Sequence, residues 1–175
     1  TVNGREEADD QTITLRARGD HTLGTRGDLR SAFTFSRIGR DEVVNGGDVA
    51  SYRQRLWGFG IESEWKMGDR DATRFSLGVA FDGSDTPQSG DKPPLNGLSD
   101  FGFRAGISSL IQDGLVLHAN FSRRSRFPSL RELYSGALGR FVPNPDLGAE
   151  TLLGSEGGLT LGADDSSLQV VGFYQ

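Results

Sequence analysis

The chain has 175 residues, a formal net charge of −5, two histidines and no cysteine. The acidic balance removes the electrostatic case for nucleic acid, and the missing cysteines exclude a disulfide framework and a thiolate metal site. No run approaches the roughly 20 apolar residues of a membrane helix, but a membrane barrel would show none either, because only alternate residues of its strands meet lipid.

Residues 1–10 are polar and acidic and predict a loop. Residues 11–18 alternate with a strand's two-residue period, Ile13, Leu15 and Ala17 against Thr12, Thr14, Arg16 and Arg18. Gly19-Asp20 predicts a turn. A second run at about 22–37 puts Phe33 and Phe35 on one face, and residues 39–51 predict a loop with Asn45-Gly46-Gly47-Asp48 at its tip. Residues 53–66 carry the clearest alternation. Trp57, Phe59, Ile61 and Trp65 share one face, and Gly58, Gly60, Glu62, Glu64 and Lys66 the other.

After a short turn at 67–71, residues 73–82 set Phe75, Leu77, Val79 and Phe81 against Arg74, Ser76, Gly78 and Ala80. Residues 83–98 predict a long loop rich in Asp, Pro, Ser and Gly. Residues 101–111 and 115–123 alternate again around the tight turn Gln112-Asp113-Gly114. Residues 152–161 and 168–174 predict a last hairpin around Ala163-Asp164-Asp165-Ser166, with mixed faces.

The expectation is an all-β chain of about eight hairpin-connected strands, filled by the 25 glycines that many turns and strands require. Its connections alternate between short and long, as in membrane barrels with short periplasmic turns and long extracellular loops. The eight residues from Trp57 to Trp65 span ~27 Å along a strand, or ~21 Å of membrane height at a tilt of ~40°, close to the ~25 Å apolar band between aromatic girdles. Trp57, Phe59, Ile61, Trp65, Phe75, Leu77, Val79 and Phe81 are therefore the expected lipid-facing set. A soluble antiparallel sandwich with one face in its core is the alternative on pattern alone.

Residues 122–156, SRRSRFPSLRELYSGALGRFVPNPDLGAETLLGSE, form the longest segment without alternation. Phe127-Pro128 ends the preceding strand, because proline cannot donate to a ladder and holds its predecessor extended. Ser129 and Glu132 have capping-box spacing, so a short helix through Leu133 and Tyr134 is expected. Asn144-Pro145-Asp146 signals a turn. Arg124, Arg126, Arg131, Tyr134, Arg140 and Phe141 are the candidate ligand contacts of this extracellular loop. Its arginines serve either as a funnel for an anionic ligand or as anchors to wall carboxylates such as Glu132 and Glu156.

The same segment resembles the TonB-dependent outer-membrane receptors. Arg126, Phe127, Pro128, Ser129, Leu130, Arg131, Glu132, Leu133 and Tyr134 look like the family signature RxPSLxELY. Asn144, Pro145, Asp146, Leu147, Gly148, Ala149 and Glu150 look like the NPxLxPE that follows, with Ala149 in place of the usual proline. Ser155-Glu156-Gly157 is similar to the start of the family's next strand. The resemblance implies an outer-membrane barrel of a Gram-negative bacterium that takes up a scarce ligand, such as a ferric siderophore, haem or cobalamin, with energy from the TonB complex. It implies about 22 strands around a plug, so residues 1–175 are expected to be part of such a barrel domain without the plug and its TonB-contacting part. The implied partners are outer-membrane lipid, a small ligand and, through the missing N-terminal part, TonB.

The remaining signals carry less. The Arg-Gly-Asp tripeptides at 18–20 and 26–28 fall at a turn and a strand start, and the sequon Asn120-Phe121-Ser122 falls in a strand. His21 and His118 are about a hundred residues apart, and Asp82, Asp85, Asp91 and Asp100, expected to decorate one loop, lack calcium-loop spacing. No catalytic set, metal site or cofactor is expected. A small complete outer-membrane barrel with a structural, adhesin or enzymatic role stays open as the alternative.

Overall fold

The computed structural model describes residues 6–68, 72–90, 92–94, 97–134, 144, 146–163 and 166–175. They form one antiparallel sheet of eight strands in sequence order. The strands are β1 (Glu6–Leu23), β2 (Gly27–Val44), β3 (Ala50–Met67), β4 (Thr73–Ser89), β5 (Leu98–Gln112), β6 (Leu115–Arg126), β7 (Glu150–Ala163) and β8 (Ser166–Tyr174). Among the described residues a single short helix, α1 (Leu130–Tyr134), lies between β6 and β7. Connections at one end of the sheet span 24–26, 68–72, 113–114 and 164–165. Those at the other span 45–49, 90–97 and 127–149. The end with α1 is called the outer end below.

The register sorts side chains onto two faces. Phe33, Phe59, Phe81 and Phe101 are successive cross-strand partners, a row of four rings over four strands. The rows on either side are Phe35, Trp57 and Gly83, and Ser31, Ile61, Val79 and Phe103. Trp57, Phe59, Ile61, Trp65, Phe75, Leu77, Val79 and Phe81 share one face, with Leu77 at 59% and Val79 at 54% exposure among them. The opposite face carries rows of polar and small residues. Antiparallel pairing fixes this sorting because successive side chains point to opposite sides. It also settles the last hairpin: Leu159, Leu161, Leu168 and Val170 join the apolar face, while Glu156, Thr160 and Gln169 take the other.

Several expected boundaries are corrected. Residues 6–10 belong to β1 rather than to a loop, and Gly19-Asp20 lies within β1, where Gly19 pairs with Ser31 and Asp20 with Arg30. The turn falls later, with Gly24 at a φ of 68°, a conformation that glycine adopts without steric cost. The expected loops at 39–51 and 83–98 shrink to 45–49 and 90–97 because β2 and β4 continue through polar sequence. Charged side chains replace apolar packing there. Arg40 reaches Asp10 at 3.1 Å and Glu42 at 3.2 Å, and Arg53 reaches Asp41 at 2.9 Å. Asp82 and Asp85 therefore sit in β4 and Asp100 in β5, not together in one loop. Asp91 lies outside the described residues, as do Asp164 and Asp165 of the last turn.

Both tryptophans lie across glycines of a neighbouring strand. A Cβ added at Gly83 would meet the Trp57 ring, and one at Gly27 would come within 2.9 Å of the Trp65 ring. Trp57 also packs against Phe81, with ring centroids 5.3 Å apart and planes tilted by 53°. At Gly60, by contrast, an added Cβ would find its nearest atom at 3.7 Å. Gly83→Ala is therefore expected to displace the Trp57 ring and cost about 1–3 kcal/mol, while Gly60→Ala changes stability by less than about 1 kcal/mol. Urea titration followed by tryptophan emission distinguishes them, and only Gly83→Ala should shift the emission of the folded state.

Candidate functional site

The segment after β6 folds back over the small and polar face of β3 and β4. Ser129 caps α1 as its spacing predicts. Its backbone amide donates to Glu132 Oε2 at 2.8 Å, and its hydroxyl lies 2.9 Å from the same oxygen. The Leu133 amide closes the turn onto the Ser129 carbonyl at 3.1 Å. Leu130, Leu133 and Tyr134 are buried against Tyr52, and Ile38, Ala50 and Leu147 pack around them. The Tyr134 and Tyr52 rings stack with centroids 5.7 Å apart.

Polar anchors surround this small core. Gln54, almost fully buried on β3, donates from Nε2 to the Pro128 carbonyl at 2.8 Å and to Ser84 Oγ at 3.2 Å. Lys92 Nζ donates to the Tyr134 carbonyl at 2.6 Å, and the Tyr134 hydroxyl donates to the Pro93 carbonyl at 3.3 Å. Arg126 forks onto both oxygens of Glu132, at 2.8 and 3.0 Å, and donates from Nε to Glu150 at 3.0 Å. Paired N–H donors facing two carboxylate oxygens give both strength and fixed geometry. The loop thus hangs from β6 but is fastened to β3 and to residues 92–93.

Beside the docked loop, the same face holds a groove of about 550 Å³. Its floor is a row of small residues, Ala32, Gly60, Ala80 and Gly102, each the partner of the next. One rung away runs a row of alternating charge: Asp20, Arg30, Glu62, Gly78, Arg104. Arg104 lies 3.1 Å from Glu62, and Arg30 lies 3.8 Å from both Glu62 and Asp20. Arg124 borders the groove and makes no hydrogen bond or ion pair among the described residues.

At the outer end the ladder between β5 and β6 stops at Phe103 and Arg123, although both strands continue past that pair. Arg123 fills the resulting fork. Its guanidinium donates to the Phe101 carbonyl, lies 2.9 Å from Asp100 Oδ2 and 3.3 Å from Thr151 Oγ1, and stands 4.3 Å from the Phe101 ring centroid. Ser125 donates to the same Asp100 oxygen at 2.6 Å.

The candidate ligand contacts are thus divided. Arg124 faces the groove, Arg126 is clasped between two carboxylates, and Tyr134 is 2% exposed in the loop core. Arg131 is exposed on α1. Arg140, Phe141 and Pro145 lie outside the described residues. Of the motif residues, Asn144 accepts from the Asp146 amide at 3.1 Å, Leu147 joins the core and Glu150 holds Arg126. Glu156 does not anchor the loop arginines as expected. It lies six residues further down β7 than Glu150, opposite Asn120, and faces His118 Nε2 at 3.5 Å. Tyr52, Gln54 and Lys92 escaped the sequence reading. The first two carried a signal, since they continue the alternation of β3 on the Gly58 side. No cluster of metal-ligating side chains occurs among the described residues.

A family model described as TonB dependent receptor-like, beta-barrel matches residues 2–175. The chain belongs to this family. Its barrels reside in the outer membrane of Gram-negative bacteria. No curated protein matches the chain. Among solved structures it is similar to the copper transporter OprC, at 15% identity and a TM-score of 0.78, covering 96% of this chain and 30% of that one. It is also similar to BauA, the ferric preacinetobactin receptor of Acinetobacter baumannii, at 13% identity and a TM-score of 0.73, covering 97% and 29%. A third likeness is to the ferric-catecholate import receptor Fiu of E. coli K12, at 13% identity and a TM-score of 0.62, covering 96% and 31%. The chain spans about three tenths of the length of these structures, and the likeness is one of fold.

The ion pair at the base of α1 sets a pH dependence for this TonB-dependent receptor barrel. Arg126, together with the amide and hydroxyl of Ser129, pulls the Glu132 carboxyl from its ordinary 4.5 down to about 2. A depressed carboxylate stabilises the folded loop fully above its unfolded pKa, and that stabilisation is lost as pH falls through the folded one. The loop should remain docked at pH 5 and loosen between about pH 4.5 and 2. Glu132→Gln should weaken docking at neutral pH and flatten this dependence. Methyl NMR of the buried Leu133 checks both.

Proposed function

We propose that residues 1–175 form part of the wall and outer mouth of a receptor that takes up a scarce ligand across the outer membrane. The observation that carries this reading is the docking of the α1 segment on the polar face, opposite the continuous apolar rows. In a barrel wall the apolar face meets lipid and the polar face meets the lumen. A loop held on the lumen side at the outer end narrows the mouth through which a ligand enters. The docked residues serve as structure, and Arg124 serves as a cation offered to the lumen.

The ligand class proposed is a metal chelate such as a ferric siderophore, or haem or cobalamin, bound from outside. Release into the periplasm is driven by the TonB complex acting on a plug that this stretch of sequence does not supply. The three solved relatives named above are a copper transporter and two ferric-siderophore or catecholate receptors by their own descriptions, which supports a metal-linked cargo. The proposed role is passage of cargo, with no bond-making chemistry.

Two experiments test the reading. Val79→Arg is expected to impair folding into bilayers by about 2–4 kcal/mol if Val79 lies near the midplane, while Ser76→Arg on the polar face costs far less. Equal penalties would remove the assignment of faces. In cells that depend on this receptor, growth on a panel of metal chelates should single out one that requires both the receptor and an intact TonB system. Arg124→Ala should weaken binding of that chelate about tenfold, the loss of one charge-assisted hydrogen bond. Unchanged affinity, measured by equilibrium binding to purified receptor, would exclude Arg124 from the ligand path.

A further inference from the structure

The outward face changes character within one rung above the aromatic rows. The row Phe35, Trp57 and Gly83 is followed, two residues further along each strand, by Ile13, Arg37, Arg55 and Asp85. Arg37 and Arg55 are direct cross-strand partners, so two guanidinium groups rise from adjacent points on one face. Like charges placed directly opposite on a sheet destabilise it.

The sheet pairs its other outward arginines near this end closely, whereas Arg55 has one long ion pair and Arg37 none among the described residues. Arg53 has Asp41 at 2.9 Å, and Arg123 has Asp100 at 2.9 Å. Arg55 forms a long ion pair with Asp85, 3.7 Å through Oδ2, while Asp85 Oδ1 is buried without a hydrogen bond among the described residues. Arg37 makes no hydrogen bond or ion pair among the described residues. Its partner on the other side is the exposed Ile13, and the rung above carries Gly39. Both arginines are exposed. The Asp41 carboxylate above them is engaged by Arg53.

We infer that Arg37 and Arg55 together hold the phosphate of a lipid in the outer leaflet, with its acyl chains lying along the Phe35, Trp57 and Phe59 side of the wall. Two guanidinium groups offer paired donors that match phosphate geometry. A phosphate placed between them turns the like-charge repulsion into shared attraction. The apolar rows directly below supply the surface that the chains of the same molecule need, which a free anion would not use. This inference rests on the lipid-facing assignment made under the proposed function.

The test is native mass spectrometry of the detergent-solubilised receptor, with lipid A bearing both phosphates and the same lipid stripped of them as probes. The wild type should retain the phosphorylated form at least tenfold better. Arg37→Gln with Arg55→Gln should abolish the preference, whereas Arg37→Lys with Arg55→Lys should restore much of it. Arg16→Gln with Arg74→Gln, a charge-matched pair of changes on the polar face, should leave it intact. Equal retention of both lipids, or a preference that survives the double glutamine variant, overturns the inference. So does displacement of the lipid by millimolar inorganic phosphate, which would mark a site for soluble anions. The Val79→Arg and Ser76→Arg pair separates the two levels. If those variants fold into bilayers equally well, the facing assignment falls and this inference with it. If they differ as expected and the lipids are not discriminated, this inference falls alone.

Discussion

The register of the antiparallel ladder is the constraint on which the rest depends. Each strand pairs with its neighbour over long stretches, 18 pairs between β1 and β2 alone. A slip of one residue anywhere would carry a strand's phenylalanines to the wrong side and bring its arginines and glutamates with the apolar rows. The aromatic rings reinforce the register because they are paired with specific partners. Trp57 and Trp65 lie where Gly83 and Gly27 leave room for them. A shift of either strand would set a ring against a side chain. Glycine here is part of the packing, as the space a large ring occupies.

The docked loop follows from the same two-sided order. Its apolar residues are few, Leu130, Leu133 and Tyr134, and they find cover only because β3 places Tyr52 on the polar face at the outer end. Burial of so small a cluster does not by itself fix a loop of this length, since ordering each residue costs about 1–2 kcal/mol. Directional bonds complete the fixation. Gln54 satisfies the Pro128 carbonyl, Lys92 satisfies the last carbonyl of α1, and Arg126 ties both flanks of the loop to one point. The arginine-rich start of the motif therefore acts as an internal clasp at Arg126 and Arg123, while Arg124 alone of the three stands without a partner among the described residues.

Strand existence and facing were legible in the sequence because lipid or a core imposes a period on apolar residues. Phe75, Leu77, Val79 and Phe81 announce their side without further help. Strand ends were not legible, for the same reason. Alternation of apolar residues stops where the apolar surroundings stop, but backbone pairing does not, and β2 runs on through Arg40, Asp41 and Glu42 on ion pairs. Gly19 misled because glycine marks a turn only where its backbone takes the left-handed region, and in this hairpin that residue is Gly24. The capping box at Ser129 was legible because it is local. The partners of Arg126 and Glu156 were not, since they depend on which strands become neighbours and on which rung each residue stands.

The fork between β5 and β6 makes the outer rim behave unlike the wall below it. Below Phe103 and Arg123 the sheet is continuous, and parting the strands would break ladder hydrogen bonds. Above that pair the upper ends of β5 and β6 share no ladder, like the two sides of a slit cuff. The loop that leaves β6 crosses to the other side of the slit and is buttoned onto β3 through Gln54 and onto residues 92–93 through Tyr134. Undoing that button, together with the bonds of Arg123 and Ser125 to Asp100 across the slit, would let the cuff open while the sleeve stays whole, so a change in aperture at this rim costs a handful of side-chain bonds and leaves the eight-stranded ladder intact.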